Sequence, residues 1–177
     1  MINIENNNKI KFLLNEVWLL TFGGAFQRSY VYKVNQSEKT RSNFKKAIRS
    51  FVEKQLQPQY HSLVSEEQHL INIKDLISYS EEHREILVGG RLKFGVAQKI
   101  LNLYCKYLWC LGLMPEPPHF PVDRIIQQKI KYRPLVAWTK IDSEKEYMSI
   151  INYAKSKLEE NQSLAEFELY NFQRSSN

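Results

Sequence analysis

A lysine near the start of a long apolar helix stands out as a side chain whose type and placement suit covalent chemistry. Nearly every residue from Val96 to Met114 is apolar, the exceptions being Gln98, Lys99, Asn102, Lys106 and the small Gly112. Positions 99, 102 and 106 follow an i, i+3, i+7 rule and so share one narrow stripe. That stripe is either the wet edge of a buried helix or the lining of a cleft. In a cleft, low dielectric and nearby positive charge would depress the pKa of the Lys99 amine and make it nucleophilic.

Positive charge is concentrated around that lysine. Between residues 91 and 133, Arg91, Lys93, Lys99, Lys106, Arg124, Lys129, Lys131 and Arg133 face only Glu116 and Asp123, a local excess equal to the whole +6 of the chain. Such a segment is either a solvated surface or the footprint of a polyanion, most simply DNA. Metal chemistry is not expected: His61, His69, His83 and His119 lack ligand spacing, and Cys105 and Cys110 cannot form a Cys-only site. No cofactor is expected either. Both cysteines read as buried thiols of the apolar helix, and so few of them point to a reducing, cytoplasmic setting. Met1 to Lys11 is polar and Asn-rich rather than signal-like, and the run Ile100 to Met114 is too short to cross a bilayer, so no membrane partner is expected.

The elements that must hold Lys99 read as helices. At 177 residues, with 43% hydrophobic and 12% aromatic residues, the chain suits one folded domain over 1–177 and excludes a disordered one. Ile10, Leu13, Leu14, Val17 and Trp18 predict a helix over 8–21, ended by Gly23-Gly24. Phe26 to Val34 suits a short strand or an irregular stretch. Residues 38–56 place Phe44, Ile48, Phe51, Val52 and Leu56 on one face, with Pro58 as the stop. Ser65 with Gln68, Ser143 with Glu146 and Ser163 with Glu166 form capping-box patterns that open three further helices. Ser80 suits the cap of a short helix over 81–88. The apolar helix follows Gly95, over 96–113, and a short one follows Asp123. The expectation is an all-α domain of about seven to nine helices around the apolar one.

Two stretches carry a family resemblance. Phe94-Gly95-Val96-Ala97-Gln98-Lys99-Ile100-Leu101-Asn102 and His119-Phe120-Pro121-Val122-Asp123-Arg124-Ile125 resemble the hairpin and catalytic segments of the helix-hairpin-helix DNA glycosylase superfamily. There a Gly-Val-Gly-x-Lys hairpin precedes a long buried helix, and a Pro-Val-Asp segment follows it. The proline-rich interval before Asp123 looks more like archaeal 8-oxoguanine glycosylases than endonuclease III, whose iron–sulfur cluster two cysteines cannot hold. The resemblance covers about 30 of 177 residues. Here Ala97 replaces the second hairpin glycine and Phe94 precedes the first.

The resemblance implies roles. Gly95 and Val96 match the hairpin turn, whose backbone N–H groups would bind a DNA phosphate. Arg91, Lys93, Lys106 and Arg124 would contact double-stranded DNA. Lys99 matches the Schiff-base lysine and Asp123 the catalytic aspartate, together excising a damaged or modified base and cleaving the abasic site. A flipped base needs a pocket. Phe94, Tyr104, Trp109 and Phe120 are candidates to stack on it, with Gln98 or His119 reading an edge and Asn102 alongside. Core packing is the other reading of each aromatic, and a surface position the other reading of His119. Two functions outside catalysis stay open: a non-catalytic DNA- or RNA-binding module, and a helical protein-interaction subunit.

Overall fold

The computed structural model describes residues 8–27 and 29–172, and over these the fold is all-α, with seven α-helices and no strand. They are α1 (Asn8–Phe26), α2 (Glu38–Phe51), α3 (Glu66–Ser80), α4 (Phe94–Cys110), α5 (Arg124–Lys129), α6 (Glu144–Lys155) and α7 (Leu164–Asn171). Helix α4 packs against α1, α3, α6 and a single 3-10 turn at Trp138–Lys140. Among the described residues, no helix is long and apolar enough to cross a membrane.

Several boundaries differ from the sequence expectation. Helix α1 runs through Gly23-Gly24 instead of ending there. A Cβ on Gly24 would lie 2.9 Å from Leu103 Cδ1, so this glycine serves the close approach of α1 to α4. Among the described residues of the Phe26–Val34 stretch, one antiparallel bridge forms, Tyr32 to Leu87. Helix α2 loosens into a π-turn at Val52–Leu56 and a 3-10 turn at Gln57–Tyr60, which accommodates Pro58 near its start. In place of a helix over 81–88, two 3-10 turns, Glu81–His83 and Val88–Gly90, separate α3 from α4. Ser80 does not cap the first of them: its hydroxyl accepts from Leu92 N at 2.8 Å and fastens the approach to α4.

The capping boxes of α6 and α7 are complete. At α3 the Ser65 hydroxyl accepts from Gln68 N, but the Gln68 side chain turns away to Gln59 and Asn72.

A polar chain threads the core between α3, α4, α6 and the loop before α5. Tyr60 donates to His69 Nδ1 (2.6 Å), and His69 Nε2 donates to Asn102 Oδ1 (2.7 Å). Asn102 Nδ2 donates to Gln98 Oε1 and to Tyr147 Oη, both at 3.0 Å. Tyr147 in turn donates to His119 Nδ1 (3.0 Å), and His119 Nε2 donates to Glu66 (2.7 Å), which also meets Lys155. Every hydrogen has an acceptor only while both histidines are neutral. Burial pulls His69 down to about 3, and His119 beside it acts the same way. Burial also lowers His119, with Glu66 opposing.

In the unfolded chain these histidines take up protons below about pH 6.5; in the fold His69 does so only near 3. Unfolding therefore binds protons in that window, and stability falls as pH drops from 6.5, by about 1.4 kcal/mol per pH unit for each histidine held neutral. Urea midpoints measured from pH 6.5 down to about 5 should decline in the wild type and decline less in His69→Gln. Equal slopes in the two proteins would contradict the neutral-histidine chain.

Candidate functional site

Lys99 and Asp123 meet. Lys99 Nζ lies 3.3 Å from Asp123 Oδ2, with both side chains mostly buried. The same amine stands 4.2 Å from the centre of the Trp138 ring. Three segments converge there: the first turns of α4, the N-cap of α5 and the 3-10 turn at Trp138–Lys140.

Each segment is held by an identifiable device. Asp123 Oδ1 accepts from Ile126 N at 2.9 Å, the ordinary N-cap bond, which leaves Oδ2 for the lysine. Gln98, one residue before Lys99, clamps the backbone one residue before Asp123. Its Nε2 donates to Val122 O (2.9 Å) and its Oε1 accepts from Val122 N (3.1 Å). Gln127 does the same to the chain leading to Trp138: Nε2 donates to Val136 O and Oε1 accepts from Val136 N, both at 2.9 Å. Both glutamines are fully buried, and the Gln98 bonds to Val122 are sheltered from water. Gly95 completes the arrangement. A Cβ there would stand 1.8 Å from the Trp138 carbonyl oxygen.

The pair opens on a groove of about 630 Å³ between α1, α4, α5 and α7. Leu19, Leu20, Leu103, Pro121, Ile125 and Leu169 supply its apolar walls. At its far end Lys106 meets Glu168 of α7 at 2.6 Å and stands 4.4 Å from the Phe172 ring centre. Burial raises the Glu168 carboxyl above its ordinary range, and Lys106 opposes that shift. A smaller recess beside Lys99 and Asp123 includes Gln27, Arg124 and Trp138.

The stripe at 99, 102 and 106 divides. With about 100° per residue, 106 lies nearly over 99 while 102 is turned about 60° away. Lys99 and Lys106 line the groove; Asn102 joins Gln98 in the core chain. Among the described residues, the carboxylate of Asp123 stands at ion-pair distance from Lys99.

The other anticipated residues fall as follows. Gly95 and Val96 lie inside α4 rather than in a hairpin, and the Gly95 N–H is taken by Ile141 O at 2.9 Å, so it cannot serve a phosphate. Arg91 pairs with Asp142 at 3.0 Å, Lys93 and Arg124 are exposed, and Lys106 is buried in its ion pair. Phe94 packs on Tyr147, Tyr104 stacks on Trp18 at 4.5 Å, and Phe120 is buried. Gln98, Asn102 and His119 spend their polar atoms in the core, so none faces the groove. Trp109 is half-buried and outside the groove lining. Cys105 is buried, but Cys110 is exposed at the groove edge. Among the described residues no group of three or more His, Cys, Asp or Glu could hold a metal.

Trp138, Glu168, Phe172 and Gln27 were not anticipated. None sits in a motif, and the one available signal was Glu168, an acid among apolar neighbours on α7.

Gln98→Leu strands the buried Val122 amide and carbonyl and should cost about 3 kcal/mol. Gly95→Ala forces the Trp138 turn off α4 and should cost about 2 kcal/mol or more. Urea denaturation reads both, and a loss below about 0.5 kcal/mol in either would show that its clamp is dispensable. Comparison with known proteins returned no matching family model, curated protein or solved structure.

Proposed function

We propose that the chain is a DNA N-glycosylase with abasic-site lyase activity, acting on double-stranded DNA in the cytoplasm through Lys99 and Asp123. The observation that carries this reading is the 3.3 Å approach of the amine to the carboxylate at the wall of a groove. The two motifs that resemble the glycosylase superfamily supply those same two residues.

The chemistry follows from the geometry. Asp123 accepts a proton from the Lys99 ammonium, which frees the nitrogen lone pair. That nitrogen attacks C1′ of the target nucleotide while the N-glycosidic bond breaks, and the departing base takes the bonding pair and the proton held by Asp123, which becomes a carboxylate again. Positive charge building on the sugar is met by the Asp123 carboxylate. Opening of the sugar ring then gives a protonated Schiff base. The Asp123 carboxylate takes a C2′ proton, and the electron pair left on C2′ expels the 3′ phosphate and cuts the strand. Trp138 excludes water from one side of the amine.

The far end of the groove suits the displaced base. Lys106 lies seven residues beyond Lys99, about 10 Å along the helix, comparable to the span of a nucleoside. Phe172 offers a ring face, and the Lys106–Glu168 pair can open to meet a base edge that carries a donor beside an acceptor.

A second reading, a helical subunit that docks a protein, is favoured by the exposed apolar rim of Leu19, Leu20, Ile125 and Leu169. Salt-insensitive co-purification with one protein would support it.

Borohydride with oligonucleotides carrying abasic sites or oxidised bases should trap a covalent adduct. Lys99→Gln should abolish it, and Asp123→Asn should slow it by about 10²-fold or more, with both variants folded. Absence of an adduct with every lesion would remove the lyase assignment.

A further inference from the structure

We infer that the outer face of α1 and the rim of the groove form the interface of a two-fold symmetric dimer of this chain. Phe12 and Leu19 stand 63% and 66% exposed, and Leu13, Leu20, Ile125 and Leu169 are exposed as well. Leu19, Leu20, Ile125 and Leu169 line the groove. Phe12 and Leu13 precede Leu19 and Leu20 by seven residues, two turns along one face of the helix. At about 200 Å² for a full side chain, the patch leaves about 600 Å² of apolar surface uncovered, the upper end for a monomer. An ordinary dimer interface takes about 800 Å² from each partner, a little over half of it apolar. The patch therefore supplies the apolar area that a second copy needs.

The face also complements itself. Glu16, Leu20, Gly23 and Gln27 recur at i, i+4, i+7 and i+11, the spacing of a seam between paired helices. A Cβ on Gly23 would touch nothing within 4 Å, so no described neighbour requires glycine there, although glycine inside a helix is costly. When two copies of α1 cross antiparallel with Leu20 over the partner's Gly23, the leucine covers the bare backbone and the two-fold axis repeats the contact. The same register sets Glu16 opposite the partner's Gln27. Arg124 lines one recess with Gln27, so the partner's Arg124 comes to Glu16. Both charges are exposed, and neither forms an ion pair among the described residues. The lysines of the groove are matched by carboxylates, so this face offers no net charge to a strongly charged partner, whereas a copy pairs Glu16 with Arg124 on both sides of the axis. Leu20 and Gly23 are groove wall as well, so the copy lies over the groove, and the monomer is the form open to DNA.

Sedimentation equilibrium of the full chain without DNA tests the dimer. The wild type should pass from monomer to dimer as its concentration rises. Gly23→Leu fills the hollow and should weaken the dimer by about 10-fold or more, while the urea midpoint of the monomer is kept or raised. Glu16→Arg and Arg124→Glu should each weaken it, and the two together should restore it, a rescue that damage to the fold would not give. A chain that stays monomeric at every concentration overturns the interface and leaves the rim to a different protein. A dimer indifferent to these variants overturns it too. Because mass alone is read, the result is separate from borohydride trapping at Lys99.

Discussion

Two consecutive residues of one buried helix hold the candidate site together. Gln98 turns inward and pairs with both backbone groups of Val122; Lys99 turns outward and meets the carboxylate of the next residue, Asp123. Because the clamp and the ion pair share a register, the loop cannot slide along α4 without losing both. A buried amide clamp is costly to break, since the freed N–H and C=O find no water. The mostly buried ion pair is costly to break as well, because either charge alone would be left unpaired. The neutral clamp therefore faces the core and the charged pair faces the groove, and together they hold the loop in register.

The same division runs through the rest of the molecule. Neutral side chains that accept and donate in a fixed order, from Tyr60 to His119, occupy the core, join α3, α4 and α6 and end on the Glu66 carboxylate. Charged pairs sit at the groove, each carboxylate reached from a different element: Asp123 from the start of α5, Glu168 from α7. Helix α4 separates the two systems by rotation alone. Gly95 lets the Trp138 backbone approach this helix more closely than any other residue would allow.

Much of this was legible in the sequence where the signal is local. Helix periodicity, the three Ser caps and the apolar run of α4 depend on residues a few positions apart, and all three have counterparts in the fold. Lys99 and Asp123 were readable as a pair only through a resemblance, because a 24-residue separation has no periodic signature. The errors have physical causes. Gly23-Gly24 looks like a terminator, but a helix tolerates glycine when a neighbour needs the space. Gln98, Asn102 and His119 have the polar atoms to read a base, yet full burial directs those atoms to one another. Trp138 and Phe172 reach the site from segments without motifs, so their roles exist only in three dimensions.

The most direct measurement is peptide mapping, by mass spectrometry, of the borohydride-reduced adduct between the protein and abasic DNA. The account predicts the sugar remnant on the Lys99 side chain. A remnant on Lys93, on Lys106 or on the terminal amine, or a protein that carries none, would contradict it.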